Sequence, residues 1–416
     1  MTGSSMSSKV DRRMKRWQEQ RWILDAVIQT VGVEWDQARL AYMSAPGGPE
    51  AVAEFHRVGA TIKKAADIDR AFVAAAKRRQ ARAEEYEKQG RLLSAGEQYF
   101  LAQLLWATAR WPIFEINKPL LDMEEQMNHC FAKYIQYAKH PIERVNIPLG
   151  NKAMPAYLHL PRKPAPGEKF PCVLYIDGMD GCKEMMVSAY GDAHLERGMA
   201  VLAIDGPGQG ECCTIPILLT PRNHGDAGVA AVDFLSQRPE IDASRIAVRA
   251  VSMGTYFAPN AAAALGDRIK ALAIMAVCQE PGMNTIFNLA SPTFKLRYMF
   301  MTGIENEAEF DEYVKQFELP SIAGKIKCPY LCLAGEDDQL SPLEFTYDLY
   351  DRLQVPKKLV VYEGAVHGIF GSSSSALGEN PNNLILDWIA DRFAGKPMKN
   401  EKLFVDATGR TTVTAV

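Results

Sequence analysis

Ser252 closes the β-branched run Arg245 to Val251 and stands between Ala250 and Gly254. This small-x-Ser-x-small spacing is that of a nucleophile elbow, where a serine occupies a tight strand-to-helix turn and its neighbours two residues away must be small to clear the bend. Alanine replaces the usual first glycine. A serine hydroxyl becomes a useful nucleophile only with a base in hydrogen-bond reach and an acid that orients the base. Leu331 to Pro342 reads as a strand running into GxxDxxxP and offers Asp338 as that acid, with Asp337 as the adjacent candidate. Val360 to Gly368 reads as a later strand followed by a loop bearing His367. The expected chemistry is attack of Ser252 on a carbonyl carbon. His367 takes the proton and returns it to the leaving group, Asp338 fixes the imidazole, and water releases the acyl enzyme.

The developing oxyanion needs backbone donors. One is expected from Met253, just after the nucleophile at a helix N-terminus. The other is expected from Met179, in the loop Asp177-Gly178-Met179 after a third strand, with Asp177-Gly178 standing where many hydrolases carry His-Gly. Gly206-Pro207-Gly208-Gln209-Gly210 has the wrong spacing for a phosphate-cradling loop and reads as a structural turn. Glu280, with Gln279, follows a central strand and is a candidate polar contact or proton relay. Asp177 and Tyr256 are further candidate substrate contacts. Met179, Met185, Met253, Met283, Phe287 and Phe294 read either as the wall of an apolar, aromatic-accepting pocket or as ordinary core.

The elements that must hold these residues follow from periodicity. Up to about residue 141 the chain reads as helices. Met14, Trp17, Leu24, Ile28 and Val31 share one face, ended by Gly32; a helix from about Asp67 to Gln89 stops at Gly90; Ser94 and Glu97 form a capping box for the next. No second copy of this hairpin recurs at a fixed period. From 142 to about 398, strands at 143–147, 156–160, 172–176, 200–204, 246–251, 271–277, 330–333 and 358–362 alternate with helices, implying a mostly parallel sheet covered on both faces and entered through an antiparallel hairpin. A Met- and Phe-rich helical segment at about 281–325 reads as an inserted cap. Residues 399–416 read as a hairpin or tail.

The 416 residues carry a formal charge of −3 with 47% apolar residues, an ordinary globular composition with no basic field for nucleic acid. No apolar stretch is long enough to cross a bilayer. The polar N-terminus shows no leader, and the eight cysteines show neither disulfide nor metal-ligand spacing. A cytoplasmic enzyme acting on a small molecule, without cofactor, metal or membrane, is expected.

The order Ser, Asp, His along the chain is that of α/β-hydrolases. With the hairpin Gly90 to Tyr99, Asp205 to Glu211 and Gly181-Cys182-Lys183-Glu184, the chain resembles the group that includes 2,6-dihydroxypseudooxynicotine hydrolase, FrsA-like esterases and fungal polyketide-shortening hydrolases. The resemblance implies an α/β-hydrolase fold with an N-terminal all-helical domain over the active site, a homodimer, and cleavage of an ester or of a C–C bond beside a ketone. Ala250, Thr255 in place of a common second glycine, and Pro259 depart from the pattern; Pro259 is expected to kink or break the helix after the elbow. An acyltransferase with the same triad and a non-catalytic receptor or scaffold are the alternative readings.

Overall fold

The computed structural model describes residues 15–414. Met14, the side chain of Trp17 and the polar N-terminal segment lie outside the described residues. The chain begins with helices at Lys15–Val31, Arg39–Ser44, Gly48–Gly59, Ile68–Lys88, Leu92–Ala109 and Lys118–Tyr137. Gly90 turns the chain at φ +71. The expected capping box at Ser94 does not form: the turn is so short that the backbone is helical again at Leu92, with Arg91 at the N-cap, and Ser94 and Glu97 fall inside the helix.

Ten strands follow: β1 (Ile142–Leu149), β2 (Lys152–His159), β3 (Phe170–Ile176), β4 (Ala200–Ile204), β5 (Ile241–Val251), β6 (Ala271–Met275), β7 (Tyr330–Gly335), β8 (Lys357–Tyr362), β9 (Glu401–Val405) and β10 (Thr411–Thr414). They form one sheet in the order β1-β2-β4-β3-β5-β6-β7-β8-β9-β10. The pairs from β4 through β9 are parallel, while β1, β2 and β10 add antiparallel edges. Central strands β4, β6 and β7 are buried at every residue, as a sheet covered on both faces requires.

Alternate residues along each strand point to opposite faces. Val173, Ala247, Ala273, Leu331 and Val360 pack beneath the helix Pro381–Phe393, against Ile385, Trp388 and Ile389. Leu174, Val248, Ile274 and Cys332 belong to the other core, which runs unbroken into the N-terminal helices. Phe131 of Lys118–Tyr137 meets Tyr157 of β2 with ring centroids 4.5 Å apart. The segment between β6 and β7 is helical at Pro292–Thr302 and Glu307–Tyr313, with its own aromatic contacts of Phe287 to Tyr298 and Phe310. β6 ends two residues sooner than its apolar run suggests, because Ala276 bends away at φ +57.

Candidate active site

β5 delivers Ser252 at its end, and the helix Gly254–Leu265 begins two residues later. Ser252 sits at φ +56, a conformation that L-residues avoid unless their surroundings impose it. Those surroundings are backbone. A Cβ on Gly254 would lie 2.6 Å from the carbonyl oxygens of both Ile176 and Asp177, and one on Gly178 would lie 2.9 Å from Ser252 Cβ. The end of β3 is thus pressed against the elbow. Ala250 is fully buried between Ile176 and Ile274 of the neighbouring strands. Thr255 ties the turn: its Oγ1 donates to the Ser252 carbonyl (2.7 Å) and accepts from the Cys278 amide (2.7 Å). Pro259 does not break the helix, which continues to Leu265.

Ser252 Oγ lies 2.8 Å from His367 Nε2, and His367 Nδ1 lies 2.9 Å from Asp338 Oδ2. The Asp338 side chain is almost wholly buried. Its Oδ1 accepts from the amides of Leu340 (2.9 Å) and Ser341 (3.3 Å). Both carboxylate oxygens are therefore engaged, which keeps the group aimed at the imidazole. An imidazole protonated on Nδ1 can donate to Asp338 and accept from Ser252 through Nε2. Asp337, the adjacent candidate, is exposed, and it is Asp338 that His367 Nδ1 meets.

Beside Ser252, the amides of Met179 and Met253 have no protein acceptor among the described residues. Gln209 holds the loop that carries Met179 by donating to the Asp177 and Gly178 carbonyls, and Asp177 Oδ1 accepts from the Gly178 amide at 2.7 Å. Burial, reinforced by Asp180 and Asp205, pushes the Asp177 carboxyl up to about 6. Asp180 accepts through Oδ2 from Arg39 Nε (3.1 Å) and Tyr42 Oη (3.0 Å), which ties this loop to the N-terminal helices. The GPGQG turn behind it is anchored by Asp205, which accepts from the amides of Lys183 (2.8 Å) and Glu211 (2.9 Å).

Other candidates stand apart from the Ser252–His367 pair. Tyr256 is buried and spends its hydroxyl on the Pro221 carbonyl at 2.9 Å. Glu280 Oε2 accepts from the Thr285 amide at 2.7 Å and so shapes the start of the helical segment after β6. Met185, Met253, Met283, Phe287 and Phe294 are all buried. A cleft of about 360 Å³ opens beside the Asp338 loop, where Gln339 and Leu340 meet Leu24, Trp35 and Phe294. The eight cysteines are buried free thiols, and no group of ligating side chains suited to a metal occurs among the described residues. No helix there is long and apolar enough to cross a membrane. Gln209 and Thr255 escaped prediction because the work they do lies in contacts with residues distant in sequence.

The model of the esterase FrsA-like family matches residues 69–306. The protein belongs to the FrsA-like esterase family, within the α/β-hydrolases. It is 26% identical over 323 residues to 2,6-dihydropseudooxynicotine hydrolase of Paenarthrobacter nicotinovorans, covering 74% of this chain and 82% of that protein. Hydrolase pyiE of Pyricularia grisea is 33% identical over 168 residues (36% of this chain, 34% of pyiE), and alpha/beta hydrolase xenA of Xenoacremonium sinensis 30% over 258 residues (57% and 58%). The chain spans about a third to three-fifths of the length of these two fungal relatives. The crystal structure of 2,6-dihydroxy-pseudo-oxynicotine hydrolase shares the fold with a TM-score of 0.69 at 24% identity, over 80% of this chain and 90% of that one. AbyA5 shares it at 0.61 and 19%, over 86% and 97%.

Proposed function

We propose that this family member is a serine hydrolase that cleaves an ester, or a C–C bond beside a ketone, in a small and largely apolar substrate. The observation that carries the reading is the unbroken pair of contacts from Ser252 Oγ to His367 Nε2 (2.8 Å) and from His367 Nδ1 to Asp338 Oδ2 (2.9 Å). The positive φ of Ser252 supports it, since strain of this kind persists where the fold needs a hydroxyl projected from a turn.

In this reading Ser252 Oγ adds to the carbonyl carbon as its proton passes to His367 Nε2. Asp338 stabilises the imidazolium without taking the proton. The oxyanion is received by the Met253 and Met179 amides. Collapse of the tetrahedral adduct expels the leaving group, which takes the proton from His367 and leaves an acyl ester on Ser252. Water, deprotonated by His367, then repeats the addition and frees the acid. Leu24, Trp35 and Phe294 along the cleft support an apolar substrate body.

Labelling by a fluorophosphonate probe tests the assignment. The wild type is expected to label at Ser252, and Ser252→Ala to lose labelling together with roughly 10⁴-fold or more of its turnover. A Ser252→Ala protein that keeps more than a few per cent of activity would remove the reading.

A further inference from the structure

Arg297 lies midway along Pro292–Thr302 and has no ion-pair or hydrogen-bond partner among the described residues. A guanidinium has five N–H donors. None of those on Arg297 is used; its recorded contact is with the Phe300 ring, 5.8 Å from the centroid. Nε is buried and unpartnered, whereas Nη1 and Nη2 are equally unpartnered but not sealed off. The residue is half-buried: Nε is covered, while the two terminal nitrogens keep accessible surface. That combination leaves the fork of the guanidinium free to take a ligand.

The neighbours locate the side chain. Asp180, Cys182, Cys213 and Arg110 are the charged and ionisable groups that act on Arg297. Asp180 adjoins Met179, and Cys213 follows the GPGQG turn. Phe294, Arg297 and Met301 share one helix face, being three and four residues apart. Phe294 lines the cleft, and Met301 packs on the turn, its Cβ 3.1 Å from where a Cβ on Gly208 would stand. Arg297 therefore lies between the cleft and the loops flanking Ser252.

The cations around it are all paired. Arg39 bonds Asp36 and Asp180, Arg110 bonds Glu124 at 2.9 Å, and Lys295 on the same helix bonds Glu307 and Asp311. Asp180 Oδ2 is already taken by Arg39 and Tyr42. Burial lowers the Arg297 pKa despite the pull of Cys213 and Asp180. An unpaired charge in such a place is costly, and a ligand can complete what the fold leaves open.

We propose that Arg297 binds an anionic oxygen of the substrate, a carboxylate or the enolate of a 1,3-dicarbonyl, placed away from the carbonyl that Ser252 attacks. The inference rests on the serine-hydrolase reading and narrows its substrate class. It makes Arg297 a specificity residue: the planar fork takes two oxygens or one enolate, and lysine replaces it only in charge.

The test compares p-nitrophenyl hemiglutarate with p-nitrophenyl pentanoate, acyl chains of matched length ending in a carboxylate or a methyl. Calorimetric titration with glutarate and with pentane-2,4-dione reads binding without turnover. Arg297→Met is expected to weaken one of the two titrated ligands by about tenfold or more and, where that ligand is glutarate, to lower the hemiglutarate-to-pentanoate ratio of kcat/KM by a similar factor. The ligand that weakens identifies carboxylate or enolate as the anion bound. Arg297→Lys is expected to keep part of both effects, with a melting temperature near the wild type. An unchanged ratio with unchanged binding, or both esters falling together as the protein loses stability, overturns the proposal. Ser252→Ala is run alongside: hydrolysis that survives it removes the nucleophile reading, whereas loss of hydrolysis there, with preference and binding both unchanged in Arg297→Met, removes this inference alone.

Discussion

Gln209 Nε2 donates to the carbonyl of Asp177 at 2.7 Å and also to that of Gly178 at 2.9 Å. One buried amide from the GPGQG turn thus fixes two successive peptide planes, and the second of them carries the Met179 N–H. Orientation of that N–H is where an oxyanion donor succeeds or fails.

Gln209→Ala should therefore lower kcat by about 10²-fold, the scale of losing or misplacing one oxyanion donor, while KM shifts by no more than about threefold. Steady-state kinetics on a p-nitrophenyl ester reads both. An equal fall in kcat with a matching rise in KM would place Gln209 in substrate binding instead, and an unaffected kcat would show that the loop holds without it.

Asp338 is expected to act through Oδ2, the oxygen that meets His367 Nδ1. Asn at 338 can keep the bonds from the Leu340 and Ser341 amides, but its neutral amide no longer favours a proton on His367 Nδ1. Asp338→Asn should fold with a near-native melting temperature and lose about 10⁴-fold in kcat. Asp337→Asn, one residue away and exposed, should behave as the wild type. Comparable losses in the two variants would contradict the assignment.

What is legible in the sequence follows the range of the interactions involved. The parallel sheet is legible because buried strands are continuous apolar runs and the helices between them are not. The approach of Ser252, Asp338 and His367 is legible because each ends a strand of the same sheet. The hairpin of β9 and β10 is legible too, but not its place in the sheet, since Glu401–Val405 is half-buried and joins the sheet only by pairing with β8 across a helix. The capping box failed through local competition: Ser94 has capping chemistry, but the tight turn at Gly90 starts the helix before it. The missing N–H of Pro259 predicts a break, but packing holds this helix, which is buried from Gly254 to Ala262. Arg297 carries no sequence signal, because what distinguishes it is the lack of a partner.

Asp177 supplies a pH signature. Its buried carboxyl holds a proton up to about pH 6 in the folded chain but releases it near its ordinary value of 3.8 when unfolded. The folded state thus binds more protons between these values, and the contribution of Asp177 to stability falls as pH rises from about 4 to about 6. Asp177→Asn keeps an Oδ1 acceptor for the Gly178 amide and removes the charge. Its melting temperature should exceed that of the wild type by a few degrees at pH 8 and match it at pH 4. A difference that does not change with pH would trace the effect to packing.

Lys183 is fully buried, and its ammonium meets Asp205 Oδ2 at 2.9 Å, Glu184 Oε1 at 2.7 Å and Glu211 Oε2 at 2.5 Å. Burial opposes its charge, but the three carboxylates outweigh burial and raise its pKa. Burial also opposes ionisation of Glu211, yet Lys183 and Arg144 hold its carboxyl at about 2. The Glu211 contribution is present above the ordinary carboxyl value of 4.5 and is lost as pH falls towards 2. Lys183→Met leaves the carboxylates facing one another without their cation, a loss of roughly 3–5 kcal/mol at neutral pH. Because those carboxyls can then take up protons, the deficit should shrink as pH falls from 7 to 5. Urea unfolding at the two pH values measures it. The same cluster anchors the turn that carries Gln209, so kcat should fall as well in whatever fraction stays folded. A variant within 1 kcal/mol of the wild type at pH 7 would mean that the carboxylates relax into protonated or solvated states, and that Arg144 alone suffices to hold Glu211.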